Sequence, residues 1–145
     1  MDIELREPRT AKEFEQYYDL RWRILREPWT TDRESSTDER EDESFHLGAW
    51  CGGKLAGVGR LHFNSPEEAQ VRYMAVERGY DGRGIGSIIL RALEQRARAQ
   101  GAARIVLNAR ETALGFYLRH GYARTDQSGT LFDAIVHWRM QKQLL

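Results

Sequence analysis

Apolar positions along this chain change their spacing several times, and each change marks a new element. Ile3 and Leu5 alternate with charged residues, as a short strand does, and Pro8 closes the run. Thr10-Ala11-Lys12-Glu13 has the spacing of a capping box, in which hydroxyl and carboxylate satisfy each other's free backbone donors. Phe14, Tyr17, Tyr18, Ile24 and Leu25 then recur at helical spacing, so a helix is predicted up to the neighbourhood of Pro28. Residues 30–44 hold no aliphatic or aromatic side chain and read as a mobile acidic loop with at most a helical turn. Two strands over 45–51 and 55–63 follow, joined by Gly52-Gly53, which supplies the positive φ angles of a tight hairpin turn. Asn64-Ser65-Pro66 interrupts the pattern, and 71–76 makes another strand.

The clearest helix runs over 84–100, where Ile85, Ile88, Ile89, Ala92, Leu93 and Ala97 keep the i, i+3, i+4 rule and Gly101 gives the stop. After it come a short buried strand at 104–108, a helix over 112–120, a strand beginning at 122–124 and a last strand over 132–140. Antiparallel strands followed by a strand–helix–strand crossover, which requires parallel pairing, predict an α/β (α+β) fold. The expected sheet is mixed and mostly antiparallel, with helices on both faces. Neither a repeat nor a linker divides the 145 residues, so residues 1–145 read as one domain.

Charge narrows the function classes. Twenty-two basic and 22 acidic residues cancel, which removes the global electrostatic case for nucleic acid or an anionic membrane as partner. Apolar runs fall short of the roughly 20 residues of a membrane helix. The N-terminus is charged from its second residue, unlike a signal peptide, so a cytoplasmic location is expected. Cys51, the one cysteine, fits a reducing compartment, and no feature marks it as an activated nucleophile. Dispersed histidines and one cysteine offer no metal-ligand spacing, so no metal is expected.

Candidate chemistry concentrates where a strand runs into the strong helix. Gly82, Gly84 and Gly86 leave backbone N–H groups bare, and the helix start adds its unpaired donors and positive dipole end. Such a loop suits a pyrophosphate, although a plain glycine-rich turn is the alternative. A Walker-type loop would need a following Gly-Lys-Ser/Thr, and the dinucleotide fingerprint another glycine spacing; neither occurs.

The segment around Asp81-Gly82-Arg83-Gly84-Ile85-Gly86 resembles the acetyl-CoA-binding motif of the GNAT superfamily, Gln/Arg-x-x-Gly-x-Gly/Ala, with Gly84 and Gly86 at its glycines. The likeness continues through Ile105-Val106-Leu107-Asn108-Ala109-Arg110 and Ala113-Leu114-Gly115-Phe116-Tyr117-Leu118-Arg119-His120-Gly121-Tyr122, the latter similar to the family's A-x-x-F-Y-x-x-x-G-F/Y segment. Arg72-Tyr73-Met74-Ala75-Val76 and His137-x-x-Met140 also look like a bacterial branch of these acyltransferases. One departure stands out: Asp81 occupies the Gln/Arg position, placing a carboxylate beside the expected pyrophosphate, with Arg78 and Arg83 as candidates to offset it.

The resemblance implies a GNAT-like fold and direct acyl transfer from acetyl-CoA (acyl-CoA) to an amine through a tetrahedral intermediate. Cofactor contacts then map to Met74, Ala75, Val76, Gly82, Arg83, Gly84, Ile85, Gly86, Ser87 and Asn108. Backbone N–H groups of the Met74-Ala75-Val76 strand polarise the thioester and pair with the pantetheine arm. Tyr117 matches the general acid that protonates the leaving thiolate; its alternative is core packing beside Phe116. Asn108 matches a position that hydrogen-bonds the cofactor arm, against a helix cap or strand-end turn. Proton acceptors remain open among His46, His62, His137 and a water chain, with Arg72 and Tyr73 standing where some relatives carry a glutamate.

The acceptor is a small-molecule or peptide amine of unspecified kind. In relatives the segment after the first helix lines the acceptor side, so Asp32, Glu34, Asp38, Glu39, Glu41, Asp42 and Glu43 suggest attraction of a cationic amine, against a solvated loop without a ligand role. Arg21, Arg23 and Arg26 are available to pair with those acids. A homodimer is an expectation carried from the superfamily. A non-catalytic acyl-CoA-binding or sensor domain is the alternative function, and a structural or interaction domain stands behind it.

Overall fold

Each alternating stretch becomes a strand and each stretch of helical spacing a helix. In the computed structural model, which describes residues 2–132 and 134–144, the order is β1 (Ile3–Arg6), α1 (Ala11–Leu25), β2 (Phe45–Cys51), β3 (Lys54–Ser65), β4 (Glu68–Val76), α2 (Ile85–Ala99), β5 (Arg104–Arg110), α3 (Leu114–Arg119), β6 (Ala123–Leu131) and β7 (Ile135–Gln143). Among the described residues one seven-stranded sheet runs β1-β2-β3-β4-β5-β7-β6, and its only parallel pairing is β4 with β5.

The helices cover opposite faces. On one face Tyr17 and Leu20 of α1 pack against Val58 and Ala75. On the other, Ile85, Ile89, Leu93 and Ala97 of α2 are buried with Leu61, Val71, Ile105 and Leu107. Close approach of α2 demands glycine beneath it. A Cβ added at Gly57 or Gly59 of β3 would come within 2.8 Å of the Ile89 side chain. Helix α1 starts as its capping box predicts on one side, with Thr10 Oγ1 accepting the Glu13 N–H at 3.1 Å. The return bond from Glu13 goes to the Arg9 N–H at 2.8 Å, one residue earlier than the motif implies.

Several boundaries differ from expectation. Strand β4 begins at Glu68 because residues 68–70 pair with both β3 and β5. Strand β7 begins at Ile135; Phe132 sits in the preceding turn at φ +56°, where its aromatic side chain had suggested a strand. The acidic segment is not a free loop either. It forms two 3-10 turns, Arg33–Ser36 and Glu41–Glu43, and Ser36 is buried with its carbonyl accepting from Arg21 Nη1 at 3.0 Å.

Strand β4 carries one residue too many. Arg60 pairs with Arg72 and Val58 with Ala75, so Tyr73 and Met74 together oppose Gly59. Tyr73 absorbs this bulge at φ +56°, an outlying backbone angle for a bulky side chain. Its ring is buried among guanidinium groups, with Arg21 at 4.4 Å, Arg72 at 4.5 Å and Arg60 at 5.1 Å from the centroid. Those contacts hold the strained position in place.

Candidate functional site

Strands β4 and β5 pair through only three residue pairs, Glu68↔Arg104, Ala69↔Ile105 and Gln70↔Val106. Beyond them the strands part, and a cleft of about 340 Å³ opens between Arg72–Met74 on one side and Asn108–Arg110 on the other. The Glu77 N–H is spent on Ala56 O of β3, at 2.8 Å. Because backbone groups alternate sides along a strand, the Val76 and Met74 amides turn away from β3, toward the gap. Free backbone donors therefore edge the cleft at the strand singled out from sequence. Ala75 differs: its side chain packs under α1.

The glycine-rich turn lies where this strand hands over to α2. Gly84 caps the helix at φ +80°, a left-handed angle that costs a glycine little. A Cβ built at Gly82 or Gly84 meets nothing within 4 Å, so the backbone faces open space. The first helical bond is Ile88 N–H to Gly84 O at 3.0 Å, which leaves the amides of Ile85, Gly86 and Ser87 as the orphan donors of the turn. This cradle fits a phosphate oxyanion. Ile85 contributes backbone only, since its side chain is in the core. Ser87 Oγ lies 2.9 Å from His120 Nε2, tying α2 to α3. Asp81 and Arg83 are exposed, and the Arg83 guanidinium stands 5.6 Å from the Tyr80 ring.

Tyr117 of α3 lines the cleft from the α2 side. Its hydroxyl donates to Met74 Sδ at 3.7 Å, a weak bond that leaves the oxygen available. Burial pushes its pKa well above the ordinary tyrosine value, so it stays protonated at neutral pH. Asn108 lies inside β5, opposite Arg139, with its side chain exposed at the cleft; it caps no helix.

Three strand histidines were open as proton acceptors, and ring contacts separate them. His46 Nε2 meets Glu41 O at 2.7 Å and its Nδ1 meets Tyr17 Oη at 2.8 Å, so both nitrogens are occupied. His62 is occupied too, by Arg60 Nη2 at 2.9 Å and Asn64 Oδ1 at 3.1 Å. His137 lines the cleft and, among the described residues, uses only Nδ1, 3.0 Å from Ile135 O. A carbonyl accepts only, so Nδ1 carries the proton. Burial, reinforced by Arg110, Arg26 and Arg72, lowers the pKa of this ring and keeps it neutral. Among the described residues, nothing occupies its Nε2 lone pair. His137 is the register partner of Arg110, which places it on the α1 face, opposite the face that holds Tyr117.

The acidic segment contributes no charge to the cleft. Asp38 grips Arg60 through two bonds of 2.6 and 3.0 Å and takes Arg72 Nη1 at 2.6 Å. Glu41 holds Arg60 at 2.7 Å and Arg21 at 3.0 Å, and Glu43 pairs with Arg40. Asp32 caps its own turn. Of the acids that sequence offered for a cationic acceptor, Asp38 and Glu41 neutralise buried arginines instead. What lines the cleft is Arg26, Arg72 and Arg110, and no carboxylate among the described residues. Arg26 and Arg110 were not anticipated as site residues. Their only signal was position, at the end of an apolar helix pattern and at the end of a buried strand.

The model of the acetyltransferase (GNAT) family matches residues 14–122. The uncharacterized N-acetyltransferase YjcF of Bacillus subtilis (strain 168) is 34% identical over 109 residues, 75% of this chain and 77% of that protein. Ard1 of Thermoplasma volcanium shares the fold with a TM-score of 0.82 at 22% identity, over 100% of this chain and 99% of that one. The PaiA N-acetyltransferase of Thermoplasma acidophilum, crystallised with coenzyme A, does so at 0.79 and 18%, over 99% and 100%. On the family match and the YjcF relationship, the chain belongs to the GNAT family of acetyltransferases.

Proposed function

We propose that this protein transfers an acetyl group from acetyl-CoA to a primary amine by direct attack of the amine nitrogen on the thioester. One observation carries the reading. The gap between β4 and β5 has a protonated tyrosine hydroxyl on one face and an unprotonated histidine nitrogen on the other. The amides of Met74 and Val76 suit the donor's carbonyl and pantetheine arm, and Asn108 adds a side-chain partner across the gap. Gly82, Arg83, Gly84, Ile85, Gly86 and Ser87 form the pyrophosphate cradle.

Chemically, a C–N bond forms as the C–S bond breaks. His137 Nε2 takes the proton that the amine nitrogen sheds, and Tyr117 Oη gives one to the departing sulfur. Solvent returns each group to its starting state, so the products are an amide and free thiol.

Calorimetric titration with acetyl-CoA and with free CoA tests the donor side, paired with Gly86→Glu. That substitution keeps an ordinary helical φ and sets a carboxylate at a helix start, where it favours the helix but opposes a phosphate. Binding in the roughly 1 μM–1 mM range expected of an enzyme substrate, lost in the variant, supports the reading. Absence of binding by the wild type sinks it, and thiol release with any amine disposes of a non-catalytic role.

A further inference from the structure

Two arginines in this cleft are held together although their charges repel. The Leu25 carbonyl, in the last turn of α1, accepts from Arg26 Nη1 at 3.2 Å and also from Arg110 Nη2, which reaches it from β5. Arg26 Nε is fixed on Ser35 O at 3.1 Å, and Arg110 lies 5.1 Å over the Trp29 ring. Neither guanidinium meets a carboxylate among the described residues, whereas Arg21, Arg23, Arg60 and Arg72 each do. Arg26 is only 8% exposed, yet among the described residues its Nη2 has no protein partner, and Arg110 Nε and Nη1 have none. Capping the carbonyl end of α1 accounts for one donor of each. It leaves the other donors lining the cleft, beside Arg72, which has one nitrogen on Asp38.

We infer that the acceptor amine carries an oxyanion, a carboxylate or a phosphate, bound by Arg26 and Arg110 while its nitrogen is presented to His137. This rests on the acetyltransferase reading above. Register supports the placement, because Arg110 and His137 are paired neighbours on the α1 face of the sheet. Paired guanidinium forks are the side chains best matched to carboxylate and phosphate oxygens. An anion there would relieve two cations that no carboxylate compensates among the described residues, while a polycationic amine would add to their repulsion. The cleft of about 340 Å³ suits a small molecule.

The probes are two matched pairs, β-alanine with its methyl ester and O-phosphoethanolamine with ethanolamine, together with spermidine. Each is titrated at millimolar concentration into the protein, with and without CoA, and read by calorimetry and NMR. At least one anionic member should bind, with its uncharged-end partner weaker by about tenfold or more, and spermidine weakest. The binding pair identifies carboxylate or phosphate. Arg26→Gln and Arg110→Gln should each weaken the anionic probe by a similar factor and raise its KM in the thiol-release assay. Thermal melts check that each variant folds, and Arg110→Lys, which keeps charge but loses the fork, replaces one that does not. Binding by neither anion, equal binding by the glutamine variants, or preference for spermidine would overturn the proposal and leave the arginines as caps of α1. Failure of the wild type to bind CoA would count against the acetyltransferase reading instead, and the titrations without CoA would still decide this one.

Discussion

Asp38 ties three chain segments together, and replacing it with asparagine tests how the cleft is held. Its two oxygens grip Arg60, which is 0% exposed, and one also holds Arg72, the residue directly opposite Arg60 on the next strand. Two cations facing each other across a strand pair repel, so the carboxylate between them is what makes the pairing tolerable. Asp38→Asn keeps the shape and removes the charge. Arg60 then retains Glu41 at 2.7 Å, while Arg72 loses its acid partner. Breaking a buried pair costs about 3–5 kcal/mol, and the surviving Glu41 contact points to the lower end, about 3 kcal/mol. For a chain of this size each kcal/mol moves Tm by about 2–4 °C, so a fall of roughly 6–12 °C is expected. Burial alone would raise the Asp38 pKa, but the Arg60 bonds, a backbone bond from Arg40 and nearby cations hold it well below the usual carboxylate range. A carboxyl depressed in the folded state contributes stability above its unfolded value, near 3.9, and loses it as pH falls through the folded value. The gap between wild type and variant should therefore be full at pH 7 and shrink below about pH 4. Thermal and urea melts across pH measure it, with Glu43→Gln, at an exposed pair with Arg40, as a control expected to change stability by under about 1 kcal/mol. A Tm loss at pH 7 no larger than the control's, or a gap that widens in acid, would refute the reasoning.

Tyr117→Phe should lower kcat by about 10²-fold or more while barely moving Tm, since the hydroxyl makes only a weak bond to Met74 Sδ; steady-state kinetics and a melt check both halves. His137→Gln should remove the acidic limb of the kcat/KM profile. In the wild type that limb falls below the ordinary histidine value of about 6.5, because burial and three arginines favour the neutral ring, and a limb above that value would argue against His137 as the proton acceptor.

Helix α2 was legible because its apolar face is local information: every contact that defines the period lies within a few residues. The Gly84 turn was legible for the same reason, since φ and helix start are properties of adjacent residues. Long-range facts were not. Asp38 and Glu41 look like solvated acids until the sheet brings Arg60 and Arg72 beneath them, 19 to 34 positions further along. His137 could not be told from His46 and His62, because what distinguishes them is which ring nitrogen another segment occupies. Phe132 misled by chemistry, an aromatic residue that serves in a turn. The bulge was hidden as well, because Tyr73-Met74 reads as an unbroken continuation of a strand.

That bulge lets two adjacent residues of β4, Arg72 and Tyr73, share one face of the sheet. Before it, Gln70 and Arg72 face α1 with the even positions; after it, Ala75 does so with the odd ones, and Met74 and Val76 turn to the α2 side. One strand thus puts Arg72 on one face of the sheet and, two residues later, Met74 on the other. Deleting a single residue between 72 and 75 would return the strand to simple alternation. With Tyr73 gone, Met74 would stand alone opposite Gly59, and because Arg60 and Val58 keep their partners Arg72 and Ala75, Met74, Val76 and the amides bordering the gap would keep the sides they have now. The extra residue adds a second side chain to the α1 face, so its loss would take the Tyr73 ring from among Arg21, Arg60 and Arg72 and leave both sides of the cleft as they are.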